Sequence, residues 1–398
     1  MKILHITDIH LRKDSESEIN RRVKSIVKYH KKHNLAPDLV VITGDLAYQG
    51  IAEEYQMFDS IVIEPLKSGL KIGRSKIIII PGNHDVNRDA ITVPEEKRCK
   101  AISSPHLASQ ALGNEHKRLE AYLEYQKSFS LAHKELHQYS YQEFQGGLYS
   151  SRIYHDIEGF SVGVACLNSA WLCSGEEDKE NLFLREAQVE DTLKHIEDAD
   201  IKIALCHHPK NWFNPSEQEL IWNDIHREFS LILTGHLHDP ISKLTQDTTS
   251  ESLALSSRAL YDGKKGNDVA DGFQYYDIAL SEKQLTAKYR KYIRRRDTFD
   301  KDTEHADNGE YTYNLPVSRV VGSTALIVQS LVEERNSMDV EIKKTLSNLQ
   351  ELDKPIFVTP KLRLFGFRQG SKFTVKSDLE VNEISAGNVI VCGGGAIQ

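Results

Sequence analysis

Along its first 86 residues the chain alternates between two apolar rhythms. Short unbroken apolar runs, KILHIT at residues 2–7, LVVIT at Leu39–Thr43 and KIIII at Lys76–Ile80, have the length and β-branched content of strands buried on both faces. Between them, Ile19, Val23, Ile26 and Val27 follow the 3.6-residue period and predict a helix over Ser17–His33. A second helix is predicted over Glu53–Leu66, closed by Gly69 and Gly73. Strand–helix–strand–helix–strand in this order predicts a parallel α/β sheet with right-handed crossovers, so the three strand ends share one edge. Each end carries polar groups of metal-ligand type: Asp8 and His10, then Asp45, then Asn83 and His84 followed by Asp85. Chemistry in such sheets collects just beyond the carboxyl ends of the strands.

Residues 87–148 break this rhythm and are expected to form a helical insertion, a lid or a substrate wall, with one long charged helix over Asn114–Leu136. Its histidines, His106, His116, His133 and His137, are expected to be solvated helix residues. YSSRIYHDI and FSVGVACLN then alternate as two strands, and a helix follows over Leu184–Ile196. The apolar strand IKIALC delivers His207, His208 and Pro209. After a helix near Glu217–Phe229, SLILT delivers GHLH, whose His236 and His238 can project the same way because strand side chains alternate with period 2. ESLALSSRAL, FQYYDIAL and QLTAKYRKYI are closing strands of a first domain, residues 1–297. The run Arg290–Arg296 reads either as a solvated strand end or as a contact for a phosphate backbone.

Residues 298–352 are expected to be a linker and helical segment, polar over 298–314 and helical over Pro316–Leu352. Residues 353–398 form a β segment with IFVTPKLRLF and KFTVKSDLEV. The closing NVIVCGGGAIQ is either a Gly-rich terminus or the opening of a P-loop. The Lys and Ser/Thr of such a loop would fall beyond Gln398, so the chain as written does not bind ATP there.

Composition narrows the classes. The net charge of −8 argues against a surface basic all over, as non-specific nucleic-acid binders have. Five scattered cysteines (Cys99, Cys166, Cys173, Cys206 and Cys392) with no CxxC pair argue against a disulfide framework or zinc finger and for a reducing, cytoplasmic setting. MKILHIT reads as a strand and not as a signal peptide, and no apolar run approaches the length of a membrane span.

The strand ends together offer Asp8, His10, Asp45, Asn83, His207, His236 and His238: two carboxylates, one amide and four imidazoles. Mixed oxygen and nitrogen donors suit first-row divalent ions such as Mn, Fe, Co, Ni or Zn. Seven donors with one bridging carboxylate suit a pair of ions roughly 3.5–4 Å apart.

The order D-x-H, G-D-x-x-x-x-G, G-N-H-D, H-x-P and G-H-x-H resembles the calcineurin-like metallophosphoesterase superfamily over residues 1–297. GDLAYQG and CHHP look most like its bacterial phosphodiesterase branch. The resemblance implies a four-layer α/β/β/α sandwich and two divalent metal ions, manganese first. It implies that the first ion takes Asp8, His10, Asp45 and His238, and the second Asp45, Asn83, His207 and His236. His208 is then a neighbour and not a ligand, His84 meets the phosphate or the leaving group, and Asp85 orients His84. The implied activity is phosphoester hydrolysis by a water made nucleophilic near neutral pH. The tail resembles bacterial STAND-type NTPases, which implies a nuclease effector in antiviral defence, with nucleic acid as substrate and an NTPase module C-terminal to this chain; a homo-oligomer is a separate expectation, and the sequence does not give the oligomeric state. The alternative is a phosphodiesterase for cyclic nucleotides or glycerophosphodiesters. A third reading, a non-catalytic scaffold, predicts purification without bound metal.

Overall fold

The strands expected from the apolar runs pair into two sheets. In the computed structural model, residues 1–111, 115–131, 139–246, 251–263, 271–316, 361–365 and 375–380 are described. The chain divides into two units, Met1–Val320 and Val321–Gln398.

The first sheet is built on β1 (Lys2–Ile6), β2 (Leu39–Thr43) and β3 (Ile77–Ile80), which run parallel as expected. Antiparallel β11 (Gly272–Ala279) and β12 (Gln284–Ile293) extend it on the β1 side. Residues 298–314 differ from the expected linker: β13 (Thr298–Lys301) and β14 (Glu310–Asn314) share the outer edge of β12. These strands read as linker because one edge of their ladder is open and their side chains are mostly polar.

The second sheet has a parallel centre, β6 (Phe160–Cys166), β7 (Ile201–Leu205), β8 (Leu231–Thr234) and β10 (Glu251–Ser256). Antiparallel β4 (Tyr139–Phe144) and β5 (Tyr149–Ile157) flank it on one side, and β9 (Ser242–Gln246) on the other. Both β4 and β9 are edge strands that the sequence reading missed.

Alternate residues of the central strands face two different cores. Ile3, Val41, Ile78 and Ile80 meet Val164, Ile203, Leu205 and Leu233 between the sheets. Their neighbours Leu4, Val40, Ile42 and Ile79 face outward with Ile19, Val23, Ile26 and Val62 of the helices. This explains why those strands are apolar throughout. Helix α1 (Glu16–Lys32) covers the first sheet together with α2 (Ala52–Phe58) and α3 (Glu64–Leu70). The π-helical turn Asp59–Ile63 joins α2 to α3, so the helix expected over Glu53–Leu66 runs longer and is interrupted.

The insertion contains α4 (Val93–Lys100), α5 (Pro105–Gln110) and α6 (Glu120–Leu131), and it ends in β4 instead of being helical to residue 148. A 3₁₀ turn over Glu115–Leu119 precedes α6. Buried Arg118 pairs with Glu95 and donates to the Cys173 carbonyl at 3.0 Å, which ties the insertion to the loop after β6. His106 meets Gln110 at 2.9 Å; the side chains of His116, His133 and His137 lie outside the described residues. Helices α7 (Glu186–His195) and α8 (Pro215–Glu228) cover the second sheet.

The order helix–sheet–sheet–helix is the expected four-layer sandwich. In the second unit, β15 (Lys361–Phe365) and β16 (Val375–Glu380) form an antiparallel hairpin. The helical segment expected over Pro316–Leu352 and the NVIVCGGGAIQ ending lie outside the described residues.

Candidate metal centre

Parallel strands deliver their carboxyl ends to one edge, and here the edges of the two sheets meet. The first sheet contributes Asp8 and His10 after β1, Asp45 after β2 and Asn83 after β3; the second contributes His207 after β7 and His236 and His238 after β8. The meeting is held by main-chain and side-chain bonds across the seam. His236 N donates to Asp8 Oδ2 at 3.0 Å, and His207 Nδ1 donates to the Thr43 carbonyl at 2.7 Å.

Two groups of donor atoms result. In one, Nε2 of His10 and Nε2 of His238 are 3.2 Å apart, and Asp8 Oδ1 is 3.3 Å from His238 Nε2. In the other, Asn83 Oδ1 lies 2.9 Å from His236 Nδ1 and 3.1 Å from His207 Nε2. Asp45 stands between them. Its Oδ1 accepts from His84 N at 2.8 Å, while Oδ2 is 3.4 Å from His207 Nε2 and 3.9 Å from His10 Nδ1.

The donor set fits divalent cations. Asp8 Oδ1 is fully buried with the His238 ring at 3.3 Å, and a carboxylate so placed is costly without a positive partner. Imidazole nitrogens that face one another at 3.2 Å also share a common target more readily than a proton. Burial opposes charge throughout the crevice. It drops His10 and His236 to about 4. At His207 and His238 burial acts the same way, but Asp45 and Asp8 outweigh it and hold both imidazoles at about 9. Two cationic imidazoles thus balance the buried Asp8 and Asp45, a task a divalent ion performs when it displaces their protons.

The backbone at this site is strained. Asp8, His10, Asp45, His236 and His238 all have φ between 49° and 70°. Non-glycine residues there cost roughly 1–2 kcal/mol each, and such strain gathers where geometry serves function. Two glycines act as spacers. A Cβ on Gly82 would lie 2.2 Å from Asp45 Oδ1, and one on Gly235 would lie 2.0 Å from Thr7 Oγ1.

His84 and Asp85 separate in role. His84 Nδ1 faces the Tyr48 carbonyl at 3.0 Å, its ring stacks on Tyr48 at 5.1 Å and meets His10 edge-on at 4.6 Å. Donation from Nδ1 leaves Nε2 as the free nitrogen. Asp85, expected to orient His84, instead accepts from the main-chain amides of Leu46, Ala47 and Gly82 and from the Tyr55 hydroxyl. It staples the loops after β2 and β3. Burial, with Asp45 adding to it, raises its carboxyl to about 7.

His208 is buried behind the centre. Nδ1 meets Ser169 Oγ at 2.8 Å, and the ring lies 4.7 Å from that of His207 and 4.5 Å from that of His236. Both of its nitrogens face protein partners, Ser169 and Cys173, although one of them also falls within reach of the His207 and His236 donor atoms.

Three contributors went unnoticed in the sequence. Asp262 bonds His238 Nδ1, Tyr48 holds His84, and Trp212 packs edge-on against His236 at 3.9 Å. Asp262 lies in the loop after β10, farther from its strand end than the other site residues, so the sequence carried no comparable signal for it. The basic run Arg290–Arg296 is absorbed in the fold at Arg290 and Tyr292, while Arg294, Arg295 and Arg296 are exposed. Buried Arg290 bonds Tyr29, the Gly309 carbonyl and Glu310, and Lys291 and Arg296 pair with Glu304 and Asp300.

Groups of His and Asp side chains on the meeting edges of an α/β/β/α sandwich bring their donor atoms as close together as a metal site requires. The calcineurin-like phosphoesterase family model matches residues 1–240, and the chain belongs to that family of phosphoester hydrolases. It is 23% identical over 274 residues to an uncharacterized metallophosphoesterase-like protein, YydB, of Bacillus subtilis, covering 65% of this chain and 53% of that one. It is 32% identical over 112 residues to a probable cyclic nucleotide phosphodiesterase of Xenorhabdus bovienii, covering 26% of this chain and 42% of that one. The chain thus spans about half the length of the curated relatives it matches. Among solved structures, Vps29 of Chaetomium thermophilum aligns over 79% of this chain and all of its own, at 10% identity and a TM-score of 0.29. Vps29 of Entamoeba histolytica solved with Zn²⁺ aligns over 73% of this chain and 92% of its own, at 12% identity and a TM-score of 0.28.

Proposed function

We propose that the chain is a two-metal phosphodiesterase acting on nucleotide phosphodiesters, with nucleic acid as its substrate and the whole protein a nuclease effector. The observation that carries the metal-dependent part is the clustering of donor atoms around Asp45, which groups with His10 on one side and with Asp8 and His207 on the other. Asp8, His10, Asp45 and His238 would hold one ion, and Asp45, Asn83, His207 and His236 the other. Bound there, divalent ions supply Lewis acidity toward the phosphoryl oxygens and an activated water at neutral pH.

The chain's own groups do the rest. Asp262 holds the His238 ring and the Thr43 carbonyl fixes the His207 tautomer, so Nε2 of each points into the centre. Asp45 Oδ1, bonded to His84 N, fixes the loop that carries His84. His84, with Nδ1 committed to the Tyr48 carbonyl, presents Nε2 to the departing oxygen and donates a proton there.

Cyclic nucleotides are the second reading, supported by the name of the Xenorhabdus relative. Manganese is the first ion of this reading, within the first-row divalent set that mixed oxygen and imidazole donors suit. Four buried cysteines without disulfides suit a cytoplasmic setting. No described helix is long and apolar enough to cross a membrane. An NTPase module, a homo-oligomer and a role in antiviral defence rest on the sequence of the tail alone.

The test is hydrolysis in Mn²⁺ of linear DNA, plasmid, single-stranded RNA and cyclic nucleotides, with Asp45→Ala as control. Cleavage of polymers, lost at least a hundredfold in the control, is the expected result. Inert polymers beside hydrolysed cyclic nucleotides would replace the first reading with the second. Absence of metal and of any hydrolysis would leave the scaffold.

A further inference from the structure

The cleft that adjoins the proposed ligand loops on the second-sheet side carries two ammonium groups and, among the described residues, no acid. It has a volume of about 360 Å³ and starts at Pro209 and Lys210, directly after His207 and His208. Leu237, between the ligands His236 and His238, forms part of its wall, so cleft and metal centre share the GHLH loop. Lys210 and Lys243 line it with the amide side chains of Asn211 and Gln218 and the apolar side chain of Ile241, which is 49% exposed. No carboxylate is among the described residues that line it. Asp239, the acidic residue of the same loop, is engaged by Arg258 at 3.1 Å.

Two like charges in one half-buried cleft repel each other, and burial together with Lys243 presses the Lys210 ammonium below its usual range. An anion between them relieves both costs, and the amide donors and the apolar wall suit the sugar and base of a nucleotide. The contrast with the larger groove beside Tyr48 is informative. That groove, about 650 Å³, holds Arg12 and Lys13 but also Asp14, Glu53 and Glu54, which neutralise it. In a chain of net charge −8, an acid-free cleft beside a phosphate-cleaving centre is selective.

We infer that Lys210 and Lys243 form a subsite for a second phosphate of the substrate, next to the one that is cleaved. The inference rests on the phosphodiesterase reading and sharpens it. The preferred substrate carries at least two phosphates, as an oligonucleotide does and a cyclic mononucleotide does not.

The test compares the dinucleotide d(TpT) with its terminally phosphorylated forms d(pTpT) and d(TpTp) on the whole chain with Mn²⁺. Because the three differ only in a terminal phosphate, the ratio of kcat/KM values is the readout. One phosphorylated form is expected to exceed d(TpT) by about tenfold or more, the value of at least one charge-assisted hydrogen bond. Lys210→Ala/Lys243→Ala should abolish that preference, and Lys210→Arg/Lys243→Arg should restore it. A parent enzyme without preference, or a double-alanine variant that keeps it, overturns the subsite.

Should none of the three be hydrolysed, the phosphodiesterase reading fails separately. Calorimetry with thymidine 3′,5′-bisphosphate then decides the subsite: binding about tenfold weaker in the double-alanine variant supports it, and equal binding refutes it.

Discussion

Replacing Gly82 by alanine isolates the close approach that brings the ligand loops together. The backbone there has φ −116°, which any residue adopts, so the substitution adds no conformational strain. It adds only a methyl group, whose carbon would sit 2.2 Å from Asp45 Oδ1, 2.5 Å from Asp45 N and 2.8 Å from His207 Cε1. Ordinary contact begins near 3.4 Å, so Asp45 or the Gly82–Asn83 segment must move by roughly 1 Å. Overpacking of this kind costs about 1–3 kcal/mol of stability. A 1 Å displacement of groups that position a reaction costs on the order of a hundredfold in rate.

The assay is kcat/KM on bis(p-nitrophenyl) phosphate in Mn²⁺, with metal content measured alongside and melting followed with chelator present. We expect a loss of about a hundredfold and fewer than two ions per chain, in a variant whose chelated form still melts cooperatively. Gly73→Ala is the matched control, because its Cβ would meet only Ser75 Oγ at 3.6 Å. Activity of Gly82→Ala within about threefold of the parent would refute the reasoning, because 1 Å at this position would then not matter.

His207→Ala should remove about one ion per chain and most of the activity, whereas His208→Ala should keep both ions, because its nitrogens face Ser169 and Cys173; equal metal loss in the two would contradict the assignment. Glu217 gives a pH-dependent effect. Its Oε1 accepts from the amides of Leu184 and Arg185, and burial raises its carboxyl to about 7. A folded-state value above the unfolded one means that stability is lost as pH climbs from about 4.5 through 7. Glu217→Gln should therefore be the more stable protein at pH 8, by up to about 3 kcal/mol, with no difference near pH 4. Urea unfolding at the two pH values checks this, and a variant less stable at pH 8 would overturn it.

Much of this was legible in the sequence because the central strands are buried on both faces and carry unbroken apolar runs. Ile77–Ile80 could be little else, and the groups that follow such strands fall at one edge whatever the loops do. The residues proposed as ligands therefore lie at that edge in the order in which the chain presents them. Edge elements were harder to read. Ser242–Gln246 and Glu310–Asn314 lie at open edges with polar faces, and their pairing depends on partners distant in sequence. The partner of His84 was misassigned for a related reason. Asp85 is its chain neighbour, but the turn aims that carboxylate at three backbone amides, and the actual partner is a main-chain carbonyl, which no side-chain pattern reveals. The αL conformation of five ligand residues is likewise silent in the sequence, since aspartate and histidine there look ordinary.

Because the donors come from both halves of the sandwich, an ion at the seam acts as a cross-link in the chain. His10 and His238 are separated by 228 positions, and Asn83 and His236 by 153. Because those points come together only in the folded chain, the ion leaves the unfolded ensemble untouched and stabilises by binding the native state. Binding that favours only the folded chain adds stability with the logarithm of free ion concentration. The lifetime of this protein in a cell is thus coupled to the supply of its metal. Starvation for the ion would remove the fastener that holds the two sheets at their shared edge, and proteases would clear the idle molecules first.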